Sequence, residues 1–293
     1  MIYISSNYRK RKKIKDLIIP LYSNGIKNIE LTGGTYNYID LEKDLLKIKN
    51  NYRINFLCHN YFPPSQKHFV INLASLNDEI YLKSIDQIKK NIDISKKLNG
   101  KKVGLHAGSF IDPDLKELGK AISKKKLFNR KKSIQRFFQA YYELEKYADG
   151  HVKLYVENNV ISQENYNIYN GEPIAMLLDL NDYLELKKKF TFNLLLDVGH
   201  LKVNSNVFNF CLQKQLDILI NETDYIHISD NNGKLDQHNI IKKNSNILKI
   251  LQNYNISEKT VTLEMKGDIP DIKHSYNLIN SKFIKTSKGT AQK

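Results

Sequence analysis

Asp197 closes the apolar run Leu194 to Leu196, and His200 follows three residues later in "LLLDVGH". Burying an unpaired carboxylate costs several kcal/mol, so an acid at the end of a buried strand needs a partner. A carboxylate beside an imidazole suits a divalent cation such as Zn²⁺, Mn²⁺ or Co²⁺. The same residue types recur where other apolar runs stop. His59 ends "INFLCH", His106 ends "KKVGLH", Glu157 ends "VKLYVE", His227 lies in "DYIHIS", and Glu264 ends "TVTLE". Asp236 and His238 follow in the loop "LDQH". Each has an ordinary alternative: a hydrogen-bonded histidine at His59 or His106, a lysine ion pair at Glu157, a polar loop at Asp236 and His238. No role is expected for His68, His151 or His274.

The elements that must position these side chains follow from periodicity. Strand-like runs lie at 1–5, 28–32, 54–59, 101–106, 152–157, 192–197, 224–229 and 260–264. Helical periods lie near 8–23, 40–49, 78–98, 130–148, 175–189, 206–220, 245–254 and 271–283. Eight βα units imply a parallel sheet with right-handed crossovers. In 293 residues they fit an α/β fold, a (β/α)8 TIM barrel. It is expected as a single domain over 1–284 with a flexible basic tail at 285–293. A doubly wound open sheet is the alternative, but "LTGGTYN" (31–37) makes no G-x-G-x-x-G fingerprint. In a barrel the C-terminal strand ends share one mouth. The nine acids and imidazoles then converge on a metal site there, with Gly199 turning the backbone so that His200 points back at it.

Composition narrows the class. A hydrophobic share of 41% supports a sizeable core. No run of about 18 apolar residues occurs, so no membrane span is expected, and the basic N-terminal segment does not read as a secretory signal. Cys58 and Cys211, far apart in sequence, read as reduced and mostly buried thiols of a cytoplasmic protein. The net charge of +15 suits an anionic partner, nucleic acid or a phosphorylated substrate. Yet the lysines are scattered, and "RKRKK" (9–13) and the "KKK" runs at 124–126 and 187–189 read first as solvated surface.

From "NIELT" to "LEMKG", the strand-end residues resemble those of the xylose isomerase-like TIM barrels, a superfamily that includes endonuclease IV (AP endonuclease family 2). The resemblance implies two overlapping patterns. In sugar isomerases and epimerases one ion is held by a glutamate, an aspartate, a histidine and a glutamate, here Glu157, Asp197, His227 and Glu264. There the two glutamates exchange a carbon-bound proton, and His200 resembles the histidine that contacts substrate. In endonuclease IV nine ligands hold three zinc ions. Their counterparts here are His59, His106, Glu157, Asp197, His200, His227, Asp236, His238 and Glu264. Departures from that enzyme are "DVGH" where it carries a cysteine, Met265 and Lys266 after the last glutamate, and "DQHNIIKKN" without its arginine and glycine.

The leading expectation is a divalent-metal isomerase or epimerase, using Zn or Mn and one to three ions, acting on a sugar or sugar phosphate. A metal-polarised carbonyl eases proton removal beside it, and Glu157 and Glu264 move the proton. Lys266 and the amides of Asn231, Asn232 and Gly233 lie on the last two loops, where barrels often hold phosphate; Lys266 has a solvated surface lysine as its equal alternative. Tyr61 and Phe62 are expected to floor the pocket, unless "YFPP" is only a rigid turn. The alternative is zinc-dependent cleavage of abasic-site DNA, with Glu157 bridging ions and the basic charge as the DNA footprint. A non-catalytic sugar-binding barrel is the third reading.

Overall fold

The computed structural model describes residues 1–10 and 12–284; the tail expected at 285–293 lies outside the described residues. Eight parallel strands follow one another around the barrel in chain order: β1 (Ile2–Ser5), β2 (Asn28–Leu31), β3 (Asn55–His59), β4 (Lys102–His106), β5 (Lys153–Glu157), β6 (Asn193–Asp197), β7 (Tyr225–Ile228) and β8 (Thr260–Leu263). β8 pairs with β1 and closes the ring. No helix among the described residues is long and apolar enough to cross a membrane.

The outer layer holds α1 (Ile14–Ser23), α2 (Leu41–Asn51), α3 (Asp78–Leu98), α4 (Arg130–Ala148), α5 (Gln163–Ile168), α6 (Leu180–Lys187), α7 (Val198–Val207), α8 (Leu212–Leu219), α9 (Asn246–Leu251) and α10 (Ile269–Ile279). Their sequences show why. In α3 the buried residues Ile85, Ile88, Ile92 and Ser95 recur every three or four positions, the spacing of one helix face. Asn77 caps its start by accepting from the Glu79 amide, and Asn99, at φ 58°, ends it. Burying each such isoleucine contributes about 1.5–3 kcal/mol.

Three expected helices are displaced, each by a local bond. The helix expected from residue 8 begins at Ile14, because Lys12 bonds the 34–35 turn instead: its amide donates to Gly34 O at 3.3 Å and its carbonyl accepts from Thr35 Oγ1 at 2.8 Å. The helix expected over 175–189 begins at Leu180, where Asp179 accepts from the Asp182 amide at 2.8 Å. The helix expected over 206–220 is two helices, α7 and α8, and α7 starts directly after Asp197.

Strand parity decides what lies inside. Tyr3, Leu57, Tyr155 and Tyr225, with Leu195, form a buried apolar cluster in the barrel. Two residues further along the same strands stand Ser5, His59, Glu157 and His227, all buried. On the alternate strands the register sets Glu30 beside Ser5, Gly104 beside His59, Leu195 beside Glu157 and Thr262 beside His227. The interior therefore changes from aromatic to titratable within one pleat repeat, in the layered manner of such barrels.

Candidate metal centre

Most functional side chains owe their place to a strand end, while His200 lies in α7 and Asp236 and His238 in the loop after β7. Asp197 ends β6 and is also the N-cap of α7. One oxygen, Oδ1, accepts from the His200 amide at 2.7 Å, and the other, Oδ2, has no hydrogen-bond partner. Capping thus occupies one oxygen and leaves the second pointing into the barrel. Gly199 does not make the expected turn; it sits in the first helical turn. There a β carbon would lie 2.7 Å from Ser229 Oγ and 3.1 Å from Asp197 Oδ1, so close packing is what demands glycine. His200 is oriented by the Asn158 carbonyl, 2.7 Å from its Nδ1, which leaves Nε2 facing Asp236 Oδ2 at 3.4 Å. Asn158 in turn brackets Asp197, accepting from its amide at 2.7 Å and donating to its carbonyl at 3.0 Å.

The nine sequence-selected acids and imidazoles meet at one mouth. Glu157 Oε2 lies 3.0 Å from His59 Nε2 and 2.9 Å from His106 Nε2, while its Oε1 lies 3.0 Å from His227 Nδ1. His227 Nδ1 is also 3.4 Å from Glu264 Oε2. His238 Nε2 lies 2.9 Å from Asp236 Oδ2. The His106 and His200 rings, 6.4 Å apart, join the two halves of the cluster. One donor atom from each of Glu157, Asp197, His227 and Glu264 lies within 4.8 Å of every other, and His59, Glu157 and His227 form a second such group.

Electrostatics sets this cluster apart from ordinary ion pairs. Among the described residues its carboxylates pair with imidazoles and with no lysine or arginine. Burial alone would raise the Glu157 carboxyl, but the imidazoles of His59, His106 and His227 outweigh it and hold the group well below the usual range. Burial likewise opposes the shift at Glu264, which His227 and His238 bring down to about 2. At Asp197 burial wins over the attraction of His200, and the carboxyl rises to about 6. Burial disfavours charge on His227 and His200, yet the surrounding carboxylates push both well above the ordinary histidine value. The cluster therefore draws positive charge to itself.

Whether a divalent cation fits can be judged from unsatisfied atoms. Glu157 Oε1, Asp197 Oδ2 and His227 Nδ1 are buried without a hydrogen-bond partner, and all three residues belong to the four-donor group. Two carboxylates and an imidazole with free lone pairs are first-row metal ligands, so the residues fit.

Above the cluster opens a cavity of about 920 Å³, lined by His59, His106, His200, Asp236, His238 and Glu264 on its floor. Tyr61 lines it, its ring edge-on to His106 at 6.3 Å, and burial pushes its hydroxyl up to about 12. Phe62 does not; it is fully buried in the hydrophobic core. His68, given no role from sequence, lines the cavity. The 231–233 loop is not turned to the cavity. The amides of Asn231, Asn232 and Gly233 donate to Asp230 Oδ1, Gln237 Oε1 and Asn231 Oδ1 at 2.9, 3.0 and 2.9 Å, and so hold the loop on itself. The Lys266 amide donates to His238 O at 2.7 Å, and its ammonium is lowered by burial despite the pull of Asp236.

Sequence reasoning passed over Glu30 and Gly104. Glu30, in mid-β2, is fully buried and contacts His227. Gly104 leaves the room that the His59 ring fills. The signal for Glu30 was available: inward parity on β2, between outward Ile29 and Leu31.

The sequence matches the family described as xylose isomerase-like TIM barrel over residues 21–282. It matches none of the curated proteins. Among solved structures, a D-tagatose 3-epimerase-like protein is similar at 17% identity and TM-score 0.70, with 96% of each chain covered. An L-ribulose 3-epimerase is similar at 14% identity and TM-score 0.67, covering 99% of this chain and 96% of that one. Endonuclease IV from Thermus thermophilus is similar at 11% identity and TM-score 0.60, covering 96% of this chain and 97% of that one. At such identities the likeness establishes a shared fold.

Proposed function

The chain belongs to the xylose isomerase-like TIM barrel family, and from that premise we propose that it is a divalent-metal isomerase or epimerase of a sugar or sugar phosphate. Glu157, Asp197, His227 and Glu264 would hold the ion, Zn²⁺ or Mn²⁺. When bound, it would supply Lewis-acid polarisation of a substrate carbonyl. The observation that carries the reading is the unequal exposure of two glutamates in one donor group: Glu264 is 13% exposed and lines the cavity, while Glu157 is 1% exposed beneath it.

Glu264 is accordingly the base that takes the proton beside the carbonyl and returns it to the neighbouring carbon. Glu157 has Oε2 engaged by His59 and His106 while Oε1, facing His227, stays without a hydrogen-bond partner, and it acts as a ligand and charge balance. A single base on one face suits aldose–ketose isomerisation better than epimerisation, which exchanges protons on opposite faces. His200, oriented through Nδ1, offers Nε2 to a substrate oxygen.

One observation favours a second reading, zinc-dependent phosphodiester hydrolysis. Glu157 Oε2 between His59 and His106, and Asp236 between His200 and His238, are further donor groups suited to a second and third ion. The +15 charge would then serve DNA binding. Two assays separate the readings. The isomerase exchanges deuterium from solvent into a C–H of its sugar and leaves abasic duplex DNA intact. Nicking of that duplex with about three zinc ions per chain refutes it.

A further inference from the structure

The geometry points to Glu30 as a positioning residue of the metal centre: it grips His227 at Nε2 so that Nδ1 presents its lone pair to the ion. The inference rests on the four-donor site proposed above and adds a residue outside that set.

Glu30 sits in the middle of β2 with no solvent exposure. A carboxylate in that position carries a desolvation cost that a leucine or glutamine filling the same space would not. Its Oε2 gathers the hydrogen bonds, while Oε1 is buried without a hydrogen-bond partner beside His227. Tyr225 and Thr262 donate their hydroxyls to Oε2, the latter at 2.6 Å. His227 Nε2 lies 3.0 Å from Oε1 and 3.2 Å from Oε2. On the other side of the same ring, Nδ1 has no hydrogen-bond partner and faces Glu157 and Glu264.

A neutral imidazole that donates from one nitrogen is an acceptor at the other, and the neutral ring is the form that ligates a metal. Glu30, steered by two hydroxyls from β7 and β8, therefore selects the tautomer, fixes the ring plane and adds negative charge behind the ligand. Outer partners of this kind are worth about 10- to 100-fold in metal affinity. A side chain that only filled the core would contribute nothing to affinity once the fold was intact.

The test is the Zn²⁺ dissociation constant of the full chain, measured by chelator competition, with the melting temperature of the metal-free chain as a control. Glu30→Gln keeps the size and an acceptor but removes the charge. It is expected to melt at or above the parent's temperature and to bind Zn²⁺ about 10- to 100-fold more weakly. Thr262→Val, which removes one of the hydroxyls that aim Glu30, is expected to weaken binding by a smaller factor and stands in should Glu30→Gln not fold. A folded variant with the parent's dissociation constant overturns the inference. Asp197→Asn tells the two levels apart. If it weakens Zn²⁺ binding and Glu30→Gln does not, only the role of Glu30 is wrong; if neither does, the four-donor site is wrong.

Discussion

Gly104→Ala probes how tightly the mouth is built. A β carbon at Gly104 would overlap the His59 ring at Cδ2 and lie 3.1 Å from its Nε2 and 2.9 Å from Leu195 Cδ2. The ring has nowhere to go without leaving Glu157, because it is 4% exposed and its Nε2 is held at 3.0 Å. Overpacking of this kind costs about 1–3 kcal/mol. With an unfolding entropy of about 2.1 cal/mol/K per residue, that corresponds to a melting temperature lower by about 2–5 °C. Calorimetry of the metal-free chain reads it. A double-mutant cycle with His59→Ala locates the strain: removing the ring removes two of the three close contacts, so the pair should fall short of additivity by about 1 kcal/mol or more. An unchanged melting temperature, or additive losses, would refute the packing argument.

Glu264→Gln should lower solvent exchange into the substrate C–H by about 10²- to 10⁴-fold while the circular dichroism stays that of the parent; activity near the parent's removes Glu264 as the base. Zn²⁺ at a hundred times its dissociation constant should stabilise the chain by about 2.7 kcal/mol, seen as a higher melting temperature, and a chain indifferent to Zn²⁺ contradicts the site. Cys58 is buried and Cys211 exposed, so iodoacetamide at neutral pH should label only Cys211 until the chain unfolds. Burial raises the Cys58 thiol from 9.0 to about 12. The unfolded thiol therefore ionises first, and stability should fall by about 1.4 kcal/mol per pH unit between those values; Cys58→Ala should abolish that component of the slope.

Much of this centre is legible in the sequence because strand ends in a barrel share one rim. Asp197, Glu157 and Glu264 each close an apolar run, and an acid there has few purposes other than pairing with something positive. Connections were less legible where side chains competed for backbone groups. The Asp197 cap starts α7 eight residues before the apolar period suggests, and it turns Gly199 from a hinge into a packing residue. The 231–233 loop looked suited to phosphate, but the side chains of Asp230, Gln237 and Asn231 take its amides. Such local bonds leave no periodic trace. Glu30 escaped for a different reason: it lies in mid-strand, where only parity, and not position at the rim, marks it as inward.

The central claim is that four side chains from β5, β6, β7 and the end of β8 grip one cation. Anomalous diffraction at the zinc edge from crystals of the Zn²⁺-loaded chain tests it most directly. The expected result is a peak about 2.0–2.2 Å from a carboxylate oxygen of Glu157, Asp197 and Glu264 and from His227 Nδ1. A zinc peak bound elsewhere, or none at this mouth, contradicts it.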